Sequence, residues 1–177
     1  MKNIKIILVD DHIVLRNGLK LLLESEQNIS IVGEASSYSE LKTILQQTPT
    51  DILLLDLSIP DKHGLEIIKE LKDSNVNFKI LVFTMHSEEQ YIKSAMSAGA
   101  SGYVEKSALD TELLTAINTV AQGNIYLNSK NALLMVNSLL NTTETNDPYA
   151  LFSNRELEVM KLMVHGYSLS EIGQQLC

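Results

Sequence analysis

From residue 4 to about 123 the chain alternates short apolar runs with longer stretches whose apolar residues recur every three or four positions. The runs suit strands buried on both faces, and the periodic stretches suit helices with one apolar stripe. Their strict alternation predicts βα units stacked into a parallel sheet. The predicted strands are 4–9, 29–34, 51–55, 79–84 and 102–104, and the predicted helices are 14–24, 40–47, 65–72, 89–98 and 111–122. Leu15, Leu19, Leu22 and Leu23 show the helical spacing most plainly. Capping boxes at Ser37/Glu40, Ser87/Gln90, Ser153/Glu156 and Ser168/Glu171 predict where helices begin, and Gly123 is placed to end the fifth.

Past Gly123 the pattern changes. Residues 128–140 read as one further short helix, and 141–148 (Asn-Thr-Thr-Glu-Thr-Asn-Asp-Pro) as a polar linker. Two more stripes follow, Leu157, Met160, Leu162, Met163 and Val164, then Leu169, Ile172 and Leu176, separated by Gly166. Two helices cannot enclose a core alone. The predicted organisation is therefore a domain over 1–123, a linker with a helix over 124–148, and a partial all-α domain over 149–177.

Composition narrows the classes. With 177 residues, 45% hydrophobic and 20% charged, the chain is one that folds, which removes disordered and collagen-like classes. Fourteen basic against 22 acidic residues give a net charge of −8, so no general attraction to nucleic acid or anionic lipid is available and any DNA contact must be local. The single cysteine is Cys177, which precludes an internal disulfide and favours a reducing cytoplasm. The apolar start contains Lys5 and runs into Asp10, too short for a signal peptide, and no stretch is long enough to span a membrane.

The chemistry lies at the predicted strand ends. In a parallel sheet these carboxyl ends face one crevice, and here they carry Asp10 and Asp11, Asp56, Thr84, and, just past the fifth strand, Lys106. Taken singly, each has a plainer role: a helix cap, a turn, a strand threonine, a solvated lysine. Taken together, three carboxylates in one crevice call for a cation or a raised pKa, because two such charges about 5 Å apart repel by about 3 kcal/mol at an effective dielectric near 20, and a bound divalent metal is the economical answer. Hard oxygen donors favour Mg2+. His12, His63, His86 and His165 show no metal-ligand spacing and are expected at the surface or behind the pocket.

Asp10-Asp11, Asp56 followed by Pro60 and Gly64, Thr84, and Lys106 in Gly102-Tyr-Val-Glu-Lys resemble, in order and spacing, a bacterial response-regulator receiver domain over residues 1–123. Asp10-Asp11-His12-x-x-x-Arg16-x-Gly18-Leu19 further resembles the NarL/FixJ subfamily. The resemblance implies a five-stranded, doubly wound, flavodoxin-like fold. It implies Asp56 as phosphoacceptor, Mg2+ held by Asp10 or Asp11, Asp56 and the backbone carbonyl of Ser58, and phosphoryl oxygens met by Lys106 and Thr84. It also implies Thr84 and Tyr103 as a switch pair, with no enzymatic activity beyond assisting the chain's own phosphorylation and dephosphorylation. Ser107 follows the lysine where many receivers carry a proline in a cis peptide, and a cis bond to a non-proline residue costs about 3 kcal/mol.

The segment from Phe152 to Gly166, with Ser168 to Leu176, resembles the opening of a LuxR-type helix-turn-helix domain. The family's major-groove helix would follow those residues, so promoter DNA is an expected partner of the full-length protein and not of these residues alone. A sensor histidine kinase and a second copy are the other expected partners, with no membrane contact. The alternative is a stand-alone receiver or phosphorelay intermediate acting through protein contacts. A haloacid-dehalogenase-like phosphatase wants a second acid two residues after its nucleophile, where Ser58 stands, and a nicotinamide-binding fold lacks its glycine motif.

Overall fold

The apolar runs form β1 (Ile4–Val9), β2 (Ile29–Ala35), β3 (Ile52–Leu55), β4 (Lys79–Thr84) and β5 (Gly102–Glu105) in a computed structural model that describes residues 3–108 and 110–140. Between and after them lie α1 (Ile13–Glu24), α2 (Tyr38–Gln47), α3 (Gly64–Asp73), α4 (Glu89–Ala98) and α5 (Asp110–Ala121), then β6 (Tyr126–Leu127) and α6 (Ser129–Leu140). All strands pair in parallel, in the order β2-β1-β3-β4-β5-β6. The strand order reverses direction at β1, so the carboxyl ends of β1 and β3 border the crevice where such sheets bind ligands.

Alternation along the strands divides the core between the two faces. Ile7, Leu53, Leu55 and Val82 pack with α2, α3 and α4, whereas Ile6, Leu54, Leu81 and Phe83 pack with α1 and α5. A strand buried on both sides needs apolar residues at every position, which is why β3 reads as an unbroken run and β1 as one interrupted only by the exposed Lys5 near its start. The expected fold class is therefore the observed one, with one correction: the sheet has six strands. Tyr126 and Leu127 are half-buried and pair with Gly102 and Tyr103. Two residues carry no period, so only the third dimension shows this strand.

Gly123 takes φ 88°, the left-handed conformation that ends α5, with its N–H on the Val120 carbonyl at 2.9 Å. Ser37 caps α2 by accepting from the Glu40 N–H at 3.2 Å, while the Glu40 carboxylate takes the N–H and hydroxyl of Ser36. The box expected at Ser87 does not form. The cap residue of α4 is Glu88, whose own carboxylate takes the Ser87 N–H. The paired serines and acids at 153/156 and 168/171 lie outside the described residues, as does the helix-turn-helix resemblance. No helix among the described residues is long and apolar enough to cross a membrane.

Candidate functional site

Backbone bonds carry the sheet's order one step past the strands. The Asp10 N–H donates to the Ala35 carbonyl (3.1 Å), the Asp56 N–H to that of Val9 (2.9 Å) and the Lys106 N–H to that of Thr84 (2.8 Å). Each functional residue is thus fixed by the strand beside it. At Gly64 a Cβ would sit 2.5 Å from the Leu57 Cα, so only glycine lets α3 begin so close under the turn that leaves Asp56.

Asp10 and Asp56 are each only 3% exposed, and the Lys106 ammonium lies 2.6 Å from an Oδ2 of both. The second oxygen of each acid accepts a backbone N–H, His12 to Asp10 Oδ1 (2.9 Å) and Ser58 to Asp56 Oδ1 (3.1 Å). Two buried carboxylates against one ammonium leave a net negative charge, to which Asp11 adds another at the rim. Asp10 Oδ2 meets Lys106 as an ion pair and has no hydrogen-bond partner of good geometry among the described residues.

One donor atom from each of Asp10, Asp11, His12 and Asp56 lies within 4.8 Å of the others. The pocket is compatible with Mg2+: its three carboxylates are hard oxygen donors, and their charge exceeds what Lys106 neutralises. His12 is the member that sequence reasoning missed. Its Nδ1 stands 2.8 Å from an Asp11 carboxylate oxygen and 3.3 Å from one of Asp10, and its only signal was adjacency to the acids. Arg16 stands in the sequence motif that runs from Asp10 to Leu19, but no role follows from the motif alone. Its guanidinium donates to the Asp10 carbonyl at 2.5 Å and to Glu34 at 3.4 Å, bracing the end of β1 from α1.

Thr84 is fully buried, and its hydroxyl has no hydrogen-bond partner among the described residues. Such a group is costly unless something else occupies it. Tyr103 is also fully buried, and its hydroxyl donates to the His86 carbonyl at 2.9 Å. Burial, then the charges of Glu88 and Glu105, push this phenol well above its usual range, so it remains a neutral donor. The His86 ring stacks on Tyr91 at 4.0 Å and meets the Ser58 hydroxyl at 3.0 Å. Tyr103 is thereby joined, through one residue, to the loop that follows Asp56. No peptide bond among the described residues is cis, so Lys106–Ser107 is trans.

Asp61, in that same loop, caps α2 from outside the helix. It accepts from the Tyr38 N–H (2.6 Å) and from the Ser39 N–H and hydroxyl (both 2.9 Å), which hold its carboxyl below the usual range. Beside it the Tyr38 hydroxyl donates to Glu70, which also pairs with Lys62; burial and then Glu70 push the Tyr38 phenol up to about 12. Asp61→Ala should cost about 1 kcal/mol, the usual worth of a helix cap. A depressed folded pKa contributes stability above the ordinary aspartate value of 3.8 and loses it as pH falls through the folded value. The gap between wild type and variant, measured by urea unfolding, should therefore persist at neutral pH and close in acid.

Comparison with known proteins agrees with this geometry. A family model for the response regulator receiver domain matches residues 6–118. The oxygen regulatory protein NreC of Staphylococcus carnosus is 35% identical over 178 residues, covering 97% of this chain and 82% of that protein. The response regulator UvrY of Escherichia coli is 35% identical over 173 residues, covering 98% and 79%. Among solved structures, one of the Salmonella typhimurium RcsB response regulator, described for its conformational dynamism in DNA interaction, superposes with a TM-score of 0.72 at 26% identity, covering 99% of this chain and 84% of that one.

Proposed function

This chain belongs to the response regulator receiver family, and on that premise we propose that Asp56 is the residue phosphorylated. The protein is a phosphorylation-switched transcriptional regulator of a two-component system. The observation that carries the assignment to Asp56 is its position. β3 lies between β1, which brings Asp10 and Asp11, and β4, which brings Thr84, so cation-binding and hydroxyl groups converge on one carboxylate already in contact with Lys106.

In the proposed reaction an oxygen of Asp56 attacks the phosphorus of a phosphohistidine on a partner kinase. The P–N bond breaks, the imidazole keeps the electron pair and takes a proton from water, and an acyl phosphate remains on Asp56. Attack by water later returns the carboxylate and inorganic phosphate. Lys106 pairs with one phosphoryl oxygen and the unpartnered Thr84 hydroxyl donates to another, so this is positioning and charge neutralisation by the chain's own residues. Asp10, Asp11, Asp56 and the Ser58 carbonyl are the proposed Mg2+ ligands; the ion, when bound, neutralises charge on the transferring group. Movement of Thr84 toward the phosphate biases Tyr103 and the elements around it, which makes these two the switch pair.

The partners that fit are a sensor histidine kinase, promoter DNA for the full-length protein, and a second copy, with the cytoplasm as the compartment. We place the receiver over 1–123, the linker over 124–148 and the helix-turn-helix segment over 149–177. Acetyl phosphate with Mg2+ should yield a phosphoprotein, seen as a mass shift that is lost in EDTA. Asp11→Ala should weaken Mg2+ binding by about tenfold or more, whereas Asp61→Ala should leave it unchanged; equal losses would mean a diffuse acidic face in place of a coordination site.

A further inference from the structure

We propose that α6 is a marginally latched helix, docked on β6 and α4 at a free energy close to that of release because it carries Asn131 into the contact. Asn131 is fully buried, and neither its Oδ1 nor its Nδ2 has a hydrogen-bond partner among the described residues. A carboxamide with both polar atoms unpaired opposes the burial that puts it there. The opposite face of the helix carries Leu133 and Val136, which are 60% and 50% exposed. The docked face of α6 is thus mixed: among its described side chains Leu134 and Met135 pack partly against the core beside the buried amide, while Leu133 and Val136 stand outside with Lys130 and Asn137.

The helix is otherwise tethered at its start. The Asn128 side chain accepts the Asn131 N–H at 2.9 Å and donates to Glu112 on α5 at 3.3 Å. These two bonds hold the backbone of Asn131 and leave its carboxamide unpaired, so release has to turn that residue out of the contact together with the turns that follow it. A helix of 12 residues has little stability of its own in water, so undocking exposes its backbone to exchange. The latch also lies beside the switch residue, since Leu127 of β6 pairs in register with Tyr103, and α6 packs on that strand.

Amide hydrogen exchange on the whole chain, with no phosphodonor present, tests this independently of the assignment of Asp56. In the wild type the amides of residues 132–137 should exchange about tenfold or more faster than those of 113–120 in α5. Asn131→Leu keeps the shape and removes both unpaired atoms, so it should slow exchange in α6 by about tenfold or more and leave α5 unchanged, which also reports that the variant is folded. Leu133→Gln, on the exposed face, should leave α6 exchange as it is. Protection of α6 equal to that of α5 in the wild type would overturn the proposal, as would an Asn131→Leu variant whose α6 exchanges as fast as before or faster.

Discussion

Asp56→Asn should abolish phosphorylation by acetyl phosphate or by a kinase while the protein remains folded. The amide has nearly the shape of the carboxylate, so Leu55 and Leu57, both fully buried, keep their packing. Its nitrogen is no nucleophile for phosphorus and its oxygen lacks the negative charge that makes the attack possible. The variant loses the ion pair with Lys106 at 2.6 Å but is also relieved of one of two buried carboxylates that share a single ammonium. Those effects oppose each other, so the change in stability should be small beside the loss of function. Phosphate incorporation equal to that of wild type would show that another residue takes the phosphoryl group.

Lys106→Ala should have the largest effect on stability of any change in the pocket. The Lys106 side chain is 3% exposed, and its ammonium stands between two acids that are themselves buried. Removing one partner from a buried ion pair leaves the other charge desolvated and uncompensated, which costs about 3 kcal/mol or more. Here it leaves two, and they repel each other. Divalent cation should recover part of that loss, because an ion bound only by the folded state adds about 2.7 kcal/mol at a hundredfold excess over its Kd. Chemical unfolding should therefore show a large deficit in EDTA and a smaller one in Mg2+, with more recovery in the variant than in wild type. Phosphorylation should still slow by about a hundredfold, since the cation does not replace the donor on the far side of the phosphoryl group. Unchanged stability in EDTA would contradict the triad.

What the amino-acid pattern conveys and what it hides follow from range. β1 and β3 are legible because strands buried on both faces are apolar almost throughout, with Lys5 the one exception, and Asp10, Asp56, Thr84 and Lys106 are legible because each directly follows a strand or sits at its end. The same rule gathers them in the folded chain without any knowledge of distances. β6 escapes notice because two residues show no period. The contacts of Arg16 and Asp61 escape because they are made largely to backbone atoms, the Asp10 carbonyl and the first turn of α2, and otherwise to side chains far along the chain, Glu34 and Ser39, that no local pattern links to them. Asn131 escapes for the converse reason: it breaks the rule of apolar burial, and in a run that continues Ala-Leu-Leu-Met-Val a single asparagine reads as the exposed face.

The identity of the phosphorylated residue is settled most directly by chemical trapping. Reduction of an acyl phosphate with borohydride converts the modified aspartate to homoserine, which peptide mass mapping locates after reaction with acetyl phosphate and Mg2+. The account predicts one modified site, Asp56, absent when Mg2+ is withheld. Homoserine at Asp10 or Asp11, or a phosphate that survives on a serine, threonine or histidine with Asp56 unmodified, would contradict it.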